Sequence, residues 1–264
     1  MKGRVLIIAG SDSGGGAGIQ ADIKSVTAMG AFAATAITAL TAQNTLGVHG
    51  IEAVSTPFLR QQIRVVLEDI GADAIKTGML HDVPTIQAVC AEIRALAPGV
   101  ALVADPVMVA KGGHRLLAED AVATLMAELL PLATIITPNI PEAEVLAGMT
   151  IRSEADMHAA AARLLGLGVP AVLLKGGHME GEELVDLLAT AEGTRRFESA
   201  RIMTRHTHGT GCTLASALAA GLAQGMGMAD AVARARGYVR AAMLAAPGYG
   251  GGHGPLDHSV TLRP

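Results

Sequence analysis

Aromatic side chains are nearly missing from this chain of 264 residues, which has three Phe, two Tyr and no Trp. That argues against nucleic-acid binding by base stacking, which needs such rings as platforms. No Lys/Arg-rich run occurs either. Twenty basic residues stand against 24 acidic ones, a net charge of −4, so there is no electrostatic footprint for a polyanion. Only two cysteines are present, Cys90 and Cys212, too few for a disulfide framework in a chain too large to need one. No apolar stretch reaches the ~18 residues of a membrane helix. The start, Met1-Lys2-Gly3-Arg4-Val5, leads straight into a short strand and does not fit a signal peptide. These absences predict a cytoplasmic protein that engages neither nucleic acid nor membrane.

What is plentiful is aliphatic material. Half the residues are apolar and 17% charged, so a disordered chain is excluded, and Ala, Leu, Val, Ile and Met must fill the interior. The length is near the upper limit for one continuous core, and no linker or internal repeat divides it. Residues 1–264 therefore read as a single domain.

Short β-branched runs alternate with amphipathic segments. Strands are predicted at Arg4–Ala9, Ala34–Leu40, Ile51–Ser55, Ala74–Lys76, Ala101–Ala104, Thr134–Thr137 and Ala171–Lys175. Helices are predicted at Gly18–Met29, Pro57–Ile70, Val83–Leu96, Glu119–Leu129, Pro141–Ala147, Ser153–Leu167, Cys212–Gln224 and Met228–Ala245. Unbroken apolar runs such as Ala171-Val172-Leu173-Leu174 mark parallel strands covered on both faces. The pattern is that of a doubly wound α/β sheet with right-handed crossovers. Glu183–Ile202 breaks the rhythm and reads as an antiparallel edge hairpin turning at Gly193.

Ligands in such sheets sit at the carboxyl ends of the strands. After the first strand comes Gly10-Ser11-Asp12-Ser13-Gly14-Gly15-Gly16-Ala17-Gly18. It lacks the Lys of a P-loop, and Ile19 breaks the dinucleotide fingerprint. The loop is either a tight turn allowing close backbone approach or a substrate-binding loop. Asp22 beyond it either faces a ligand or solvates the surface. A sharper signal is His208-Gly209-Thr210-Gly211-Cys212-Thr213. This turn opens a helix, so unpaired N–H groups converge where the dipole favours an anion. Cys212 sits at the same helix start, where a thiol's pKa tends to fall, and could take a proton from a substrate hydroxyl. The alternative is a small buried filler. Asp105-Pro106, Thr137-Pro138-Asn139-Ile140-Pro141-Glu142 and Lys175-Gly176-Gly177-His178 follow three further strands. Each has a local explanation, such as Asn139 as helix cap. Together, carboxylate, amide and lysine suit Mg²⁺ near phosphates, and hence phosphoryl transfer. The histidines have no zinc spacing and read as surface or turn residues, and the scattered methionines as core filler.

The Gly209-Thr210-Gly211 turn before a helix, with Asn139-x-x-Glu142 upstream, resembles the ribokinase-like superfamily. Most of its members carry Asp where this chain has Cys212. That departure, with the run Ala9 to Asp22, Thr38-Ala39-Leu40-Thr41-Ala42-Gln43-Asn44-Thr45, Asp105-Pro106-Val107-Met108 and Thr207 to Thr213, resembles the hydroxymethylpyrimidine/phosphomethylpyrimidine kinases. Matching blocks run from Ala9 to Pro255. The resemblance implies a three-layer α/β/α sandwich with a mostly parallel sheet, ATP and Mg²⁺ as cofactors, and a homodimer. It implies phosphorylation of an aminopyrimidine alcohol and then of its monophosphate. Gln43 would bind the aminopyrimidine, Asp22 would lie near the hydroxymethyl group, and Gly10, Met79 and Val107 would line the pocket. Cys212 would be the base, with the N–H groups from Gly209 through Thr210 and Gly211 to Cys212 as anion hole. Lys175 would meet the ATP phosphates, Asp105 would support that region, and Asn139 and Glu142 would organise Mg²⁺ through water. His206 and Asp257 stand where the family pattern has Asn. A pyridoxal kinase of the same Cys-containing branch is the nearest rival, and Gln43 favours the aminopyrimidine. A non-catalytic sensor and a sugar kinase fit less well.

Overall fold

In a computed structural model, which describes residues 1–109, 113, 116–118, 120–179 and 181–262, the first strand already shows how the layers arise. In β1 (Arg4–Asp12), Leu6 and Ile8 point into one apolar cluster, while Val5, Ile7 and Ala9 point into another. A strand buried on both faces needs helices on both sides. Helices α2 (Thr56–Asp69), α3 (Val83–Leu96), α4 (Ala121–Thr124), α5 (Ile140–Ala147) and α6 (Glu154–Leu165) supply the first cluster. Helices α1 (Gly18–Ala28), α7 (Thr210–Ala223) and α8 (Met228–Leu244) supply the second.

The other strands are β2 (Phe32–Asn44), β3 (Gly47–Ala53), β4 (Ala74–Thr77), β5 (Ala101–Ala104), β6 (Ile135–Ile136), β7 (Ala171–Lys175), β8 (Glu183–Thr190) and β9 (Gly193–Ala200). They form one sheet in the order β3-β2-β1-β4-β5-β6-β7-β8-β9. From β2 to β7 the strands are parallel, and the result is the expected three-layer α/β/α sandwich. The partners of β1, namely β2 and β4, lie on opposite sides of it. The winding therefore reverses at β1, which opens a crevice beyond the carboxyl ends of β1 and β4.

Both edges are antiparallel, where only one was predicted. The β8–β9 hairpin closes on the Thr190–Gly193 pair, so Ala191 and Glu192 form its turn. At the other edge β2 runs on to Asn44 and folds back as β3. Asn44 Oδ1 accepts hydrogen bonds from the N–H groups of Leu46 and Gly47 and holds that turn. The predicted helix over 119–129, whose first residue lies outside the described residues, is broken. A four-residue α turn passes into a π turn at Leu125–Leu129 and a 3₁₀ turn at Leu130–Leu132. Pro131 has no N–H to continue the α ladder.

Candidate active site

The glycine-rich loop after β1 turns its amides inward. Asp12 accepts hydrogen bonds from the N–H groups of Gly14, Gly16 and Ala17 at 2.8–3.1 Å, so these amides are not a phosphate cradle. The loop serves close approach instead. A Cβ on Gly18 would sit 2.4 Å from the Gly10 carbonyl oxygen, and one on Gly16 2.6 Å from the His208 ring. His208 Nε2 in turn meets Asp12 Oδ2 at 2.8 Å. Burial opposes the Asp12 charge, but His208 and the loop amides overcome it and hold its pKa below the ordinary carboxylate value.

Helix α7 packs under β1, β4 and β5 and delivers its N-terminus to the crevice. Gly209 caps it at φ +83°, a left-handed conformation, and a Cβ there would lie 1.8 Å from the Gly16 carbonyl oxygen. Only glycine meets both demands. The first-turn amides of Gly211 and Cys212 have no carbonyl one turn earlier to bind, and so face the cleft. A Cβ on Gly211 would stand 3.4 Å from Lys175 Nζ and 3.5 Å from Asp105 Oδ2. The α7 amides, Cys212 and Lys175 thus share one wall of a cavity of about 1520 Å³. Gly10, Gln43, Met79 and Val107 line the same cavity, and a Cβ on Gly10 would stand 3.2 Å from the Met79 sulfur.

Lys175 Nζ donates to Asp105 Oδ1 at 3.1 Å, and Thr137 Oγ1 donates to the same oxygen at 2.9 Å. Burial works against the Lys175 charge, but Asp105 and Glu142 outweigh it and raise its pKa. Asn139 and Glu142 form a capping box on α5: Asn139 Oδ1 accepts from the Glu142 N–H, and Glu142 Oε2 accepts from the Asn139 N–H. Burial pushes Glu142 up to about 7, against the pull of Lys175.

Three expectations need correction. Asp22 neither solvates the surface nor faces the cavity directly. It is fully buried, with Lys76 Nζ 2.8 Å from each carboxylate oxygen and Ser216 Oγ donating at 2.7 Å. The Cys212 thiol is not lowered by its helix. Burial, with Asp22 and Asp105 nearby, pushes it up to about 12, and Lys76 offsets only part of this. The residue is half-buried and lines the cavity. His208 and His258 are buried, not surface residues, and His258 meets Thr213 Oγ1 at 2.9 Å. Burial and the nearby Lys24 lower the His258 pKa to about 4.

Lys76, Asp12, Thr41 and His208 were not singled out from the sequence. For Lys76 a signal existed: a charge inside the buried run Ala74-Ile75-Lys76-Thr77 requires a partner. His208 and Thr41 lie within quoted motifs, but their partners are remote in sequence.

The phosphomethylpyrimidine kinase family profile matches residues 12–257. The chain belongs to that family. It is 48% identical over 261 residues to the hydroxymethylpyrimidine/phosphomethylpyrimidine kinase of Bacillus subtilis, covering 98% of this chain and 96% of that one. It is 51% identical over 262 residues to the thiamine biosynthesis bifunctional protein ThiED of Geobacter sulfurreducens, covering 99% of this chain but 53% of that longer one. So it spans about half the length of the bifunctional relative. Among solved structures, the phosphomethylpyrimidine kinase of Clostridium difficile superimposes with a TM-score of 0.81 at 41% identity, covering 90% of this chain and 98% of that one. An ADP complex of Bacillus subtilis pyridoxal kinase gives a TM-score of 0.92 at 36% identity, with both chains fully covered. The sandwich is therefore ribokinase-like, and the kinase family makes the protein a phosphotransferase.

Proposed function

We propose that the protein transfers the γ-phosphoryl group of ATP to 4-amino-5-hydroxymethyl-2-methylpyrimidine, and then a second one to the resulting monophosphate, in thiamine biosynthesis. The observation that carries this reading is the junction of Gly211, Cys212, Lys175 and Asp105 on the wall of a cavity that Gln43 also lines. The Gln43 amide offers one donor and one acceptor to a ring nitrogen and its exocyclic amine. Gly10, Met79 and Val107 form the apolar floor beneath a flat ring. Asp22 acts from behind through Lys76. In the transfer, the alcohol oxygen bonds to phosphorus and the bridging P–O bond breaks, its electron pair leaving with ADP. Cys212 accepts the alcohol proton, while the amides of Gly209 to Cys212 and the Lys175 ammonium stabilise charge on the transferred group. Towards α8 and β9 the cavity is lined by Ile202, Met203, Val239 and Met243, which suit the apolar faces of a purine.

A nucleoside triphosphate brings more negative charge to the α7 start than the two lysines there can neutralise. Lys175 is already paired with Asp105, and Lys76 with Asp22. A divalent cation accompanying the nucleotide would supply further positive charge there. The oxygen donors Asn139, Glu142 and Asp105 fit a hard ion such as Mg²⁺ held by phosphates and water. One sheet spanning residues 4–200, with helices from both ends of the chain, supports reading 1–264 as one domain.

The test is a coupled ATP-consumption assay with hydroxymethylpyrimidine, its monophosphate, pyridoxal and ribose. The first two should turn over fastest. Preference for ribose would overturn the assignment. The pyridoxal kinase likeness keeps a second substrate in view, and Gln43→Met separates the two. It should cost far more with the pyrimidine than with pyridoxal, and equal losses would refute the role of Gln43.

A further inference from the structure

Hydrogen positions in the Gln43 pocket are decided by counting protons. Thr41 Oγ1 lies 2.8 Å from the Ser11 carbonyl oxygen and 3.0 Å from one terminal atom of the Gln43 amide. A hydroxyl has one proton, and a backbone carbonyl can only accept. Two oxygens at 2.8 Å without a proton between them repel, so the Thr41 proton belongs to Ser11. Thr41 Oγ1 can then only accept from Gln43, which requires the amide nitrogen on that side. The opposite end agrees independently. Asp12 is an ionised carboxylate, acceptor only, so the His208 Nε2 that meets it at 2.8 Å carries hydrogen. A nitrogen at the Gln43 amide position 3.5 Å from that Nε2 would set two donors face to face. An amide with its oxygen there and its nitrogen towards Thr41 avoids both conflicts, and its shape is the same either way.

We infer that Thr41 holds the Gln43 amide with its nitrogen towards Thr41 and its oxygen towards His208, making Thr41 the specificity-determining residue behind Gln43. The consequence rests on the aminopyrimidine reading. A 4-aminopyrimidine edge presents an amine donor beside a ring-nitrogen acceptor. Its 4-oxo analogue presents a carbonyl acceptor beside a ring N–H donor, the reverse order. A locked amide matches only the first, whereas a freely rotating one matches either. Thr41 stands behind the amide as a positioning residue. Its hydroxyl is held by β1 through Ser11, next to Asp12, which pairs in register with Thr41 itself.

The experiment compares kcat/KM for hydroxymethylpyrimidine and its 4-oxo analogue in wild type, Thr41→Val and Thr41→Ser. Mispaired polar groups discriminate strongly, so wild type should prefer the amine by about 100-fold or more. In Thr41→Val the preference should collapse to within about tenfold, chiefly by a gain on the oxo analogue, while Thr41→Ser keeps the wild-type ratio. A ratio unchanged in Thr41→Val overturns the inference, and so does a ratio lost equally in Thr41→Ser, which would assign the effect to packing. A substrate-free readout keeps the lock separate from the substrate assignment. The nuclear Overhauser contacts of the Gln43 side-chain amide protons should run to the Thr41 side chain in wild type. Contacts to the His208 ring alone would overturn the amide orientation, whereas a correct orientation with no turnover of the pyrimidine would fault the proposed substrate instead.

Discussion

Replacing Lys76 by Met removes the cation from a pair that is 0% exposed on both sides. Asp22 then keeps only Ser216 Oγ at 2.7 Å as a close side-chain partner among those described. Breaking a buried pair from one end costs about 3–5 kcal/mol because a lone charge is left behind. The surviving hydroxyl bond favours the lower value. For a chain slightly longer than 250 residues, with about 2–4 °C of midpoint per kcal/mol, the melting temperature should fall by about 6–12 °C. The loss should also depend on pH. Burial raises the Asp22 pKa, and without Lys76 nothing comparable opposes it. A carboxyl whose folded-state pKa is raised stabilises the fold below its unfolded value and loses that contribution as pH rises through the folded value. The gap between wild type and variant should therefore be smaller at about pH 5 than at about pH 8. Differential scanning fluorimetry across that range is the assay. Adding Asp22→Asn should recover most of the loss, since it removes the stranded charge and keeps an acceptor for Ser216. A drop below about 2 °C, or a double variant no better than the single one, would refute the reasoning.

If Cys212 is the base and its free-protein pKa is about 12, kcat/KM should climb about tenfold per pH unit between about pH 6 and pH 8, and a flat profile would exclude it. Cys212→Ala should keep substrate affinity by calorimetry while cutting kcat by about 10²–10⁴-fold. Glu142, raised to about 7, weakens the fold as pH rises from the ordinary carboxylate range through neutrality. Glu142→Gln should therefore gain melting temperature relative to wild type above about pH 7 and lose that advantage below about pH 5. Gly209→Ala places a Cβ 1.8 Å from the Gly16 carbonyl oxygen at φ +83° and should cost about 2 kcal/mol or more, read as a fall in thermal midpoint.

Periodicity carried the fold a long way because the parallel strands are short apolar runs between amphipathic helices. Val83–Leu96, Ala101–Ala104 and Ala171–Lys175 appear with the predicted ends. The second antiparallel edge was not legible because β2 and β3 carry polar and exposed residues where they pair beyond the sheet, and their turn is held by an Asn side chain. In the site, the strand-end residues and the α7 start named from the sequence line one cavity. Their charge environment was not legible, since it depends on partners 54, 70 and 196 positions apart: Lys76 with Asp22, Lys175 with Asp105 and His208 with Asp12. The expected thiol shift failed for that reason. A helix start favours a thiolate, but burial beside two carboxylates disfavours it more, and only the second effect needs three-dimensional knowledge.

The same charges give a reason for sulfur at position 212, where most ribokinase-like proteins have Asp. Asp22 and Asp105 already stand close enough to oppose ionisation of the thiol, and Glu142 joins Asp105 on the Lys175 side. Both nearby lysines are taken by those carboxylates. A further carboxylate would meet like charges at short range, worth about 4 kcal/mol for each one 4 Å away at an effective dielectric of 20, before any triphosphate arrives. A thiol pushed up to about 12 stays neutral, and so adds no repulsion to a nucleotide phosphate. If Cys212 is the base, Asp22 and Lys76 bear on the identity of residue 212: with this ion pair behind the α7 start, a group that stays neutral is the compatible choice.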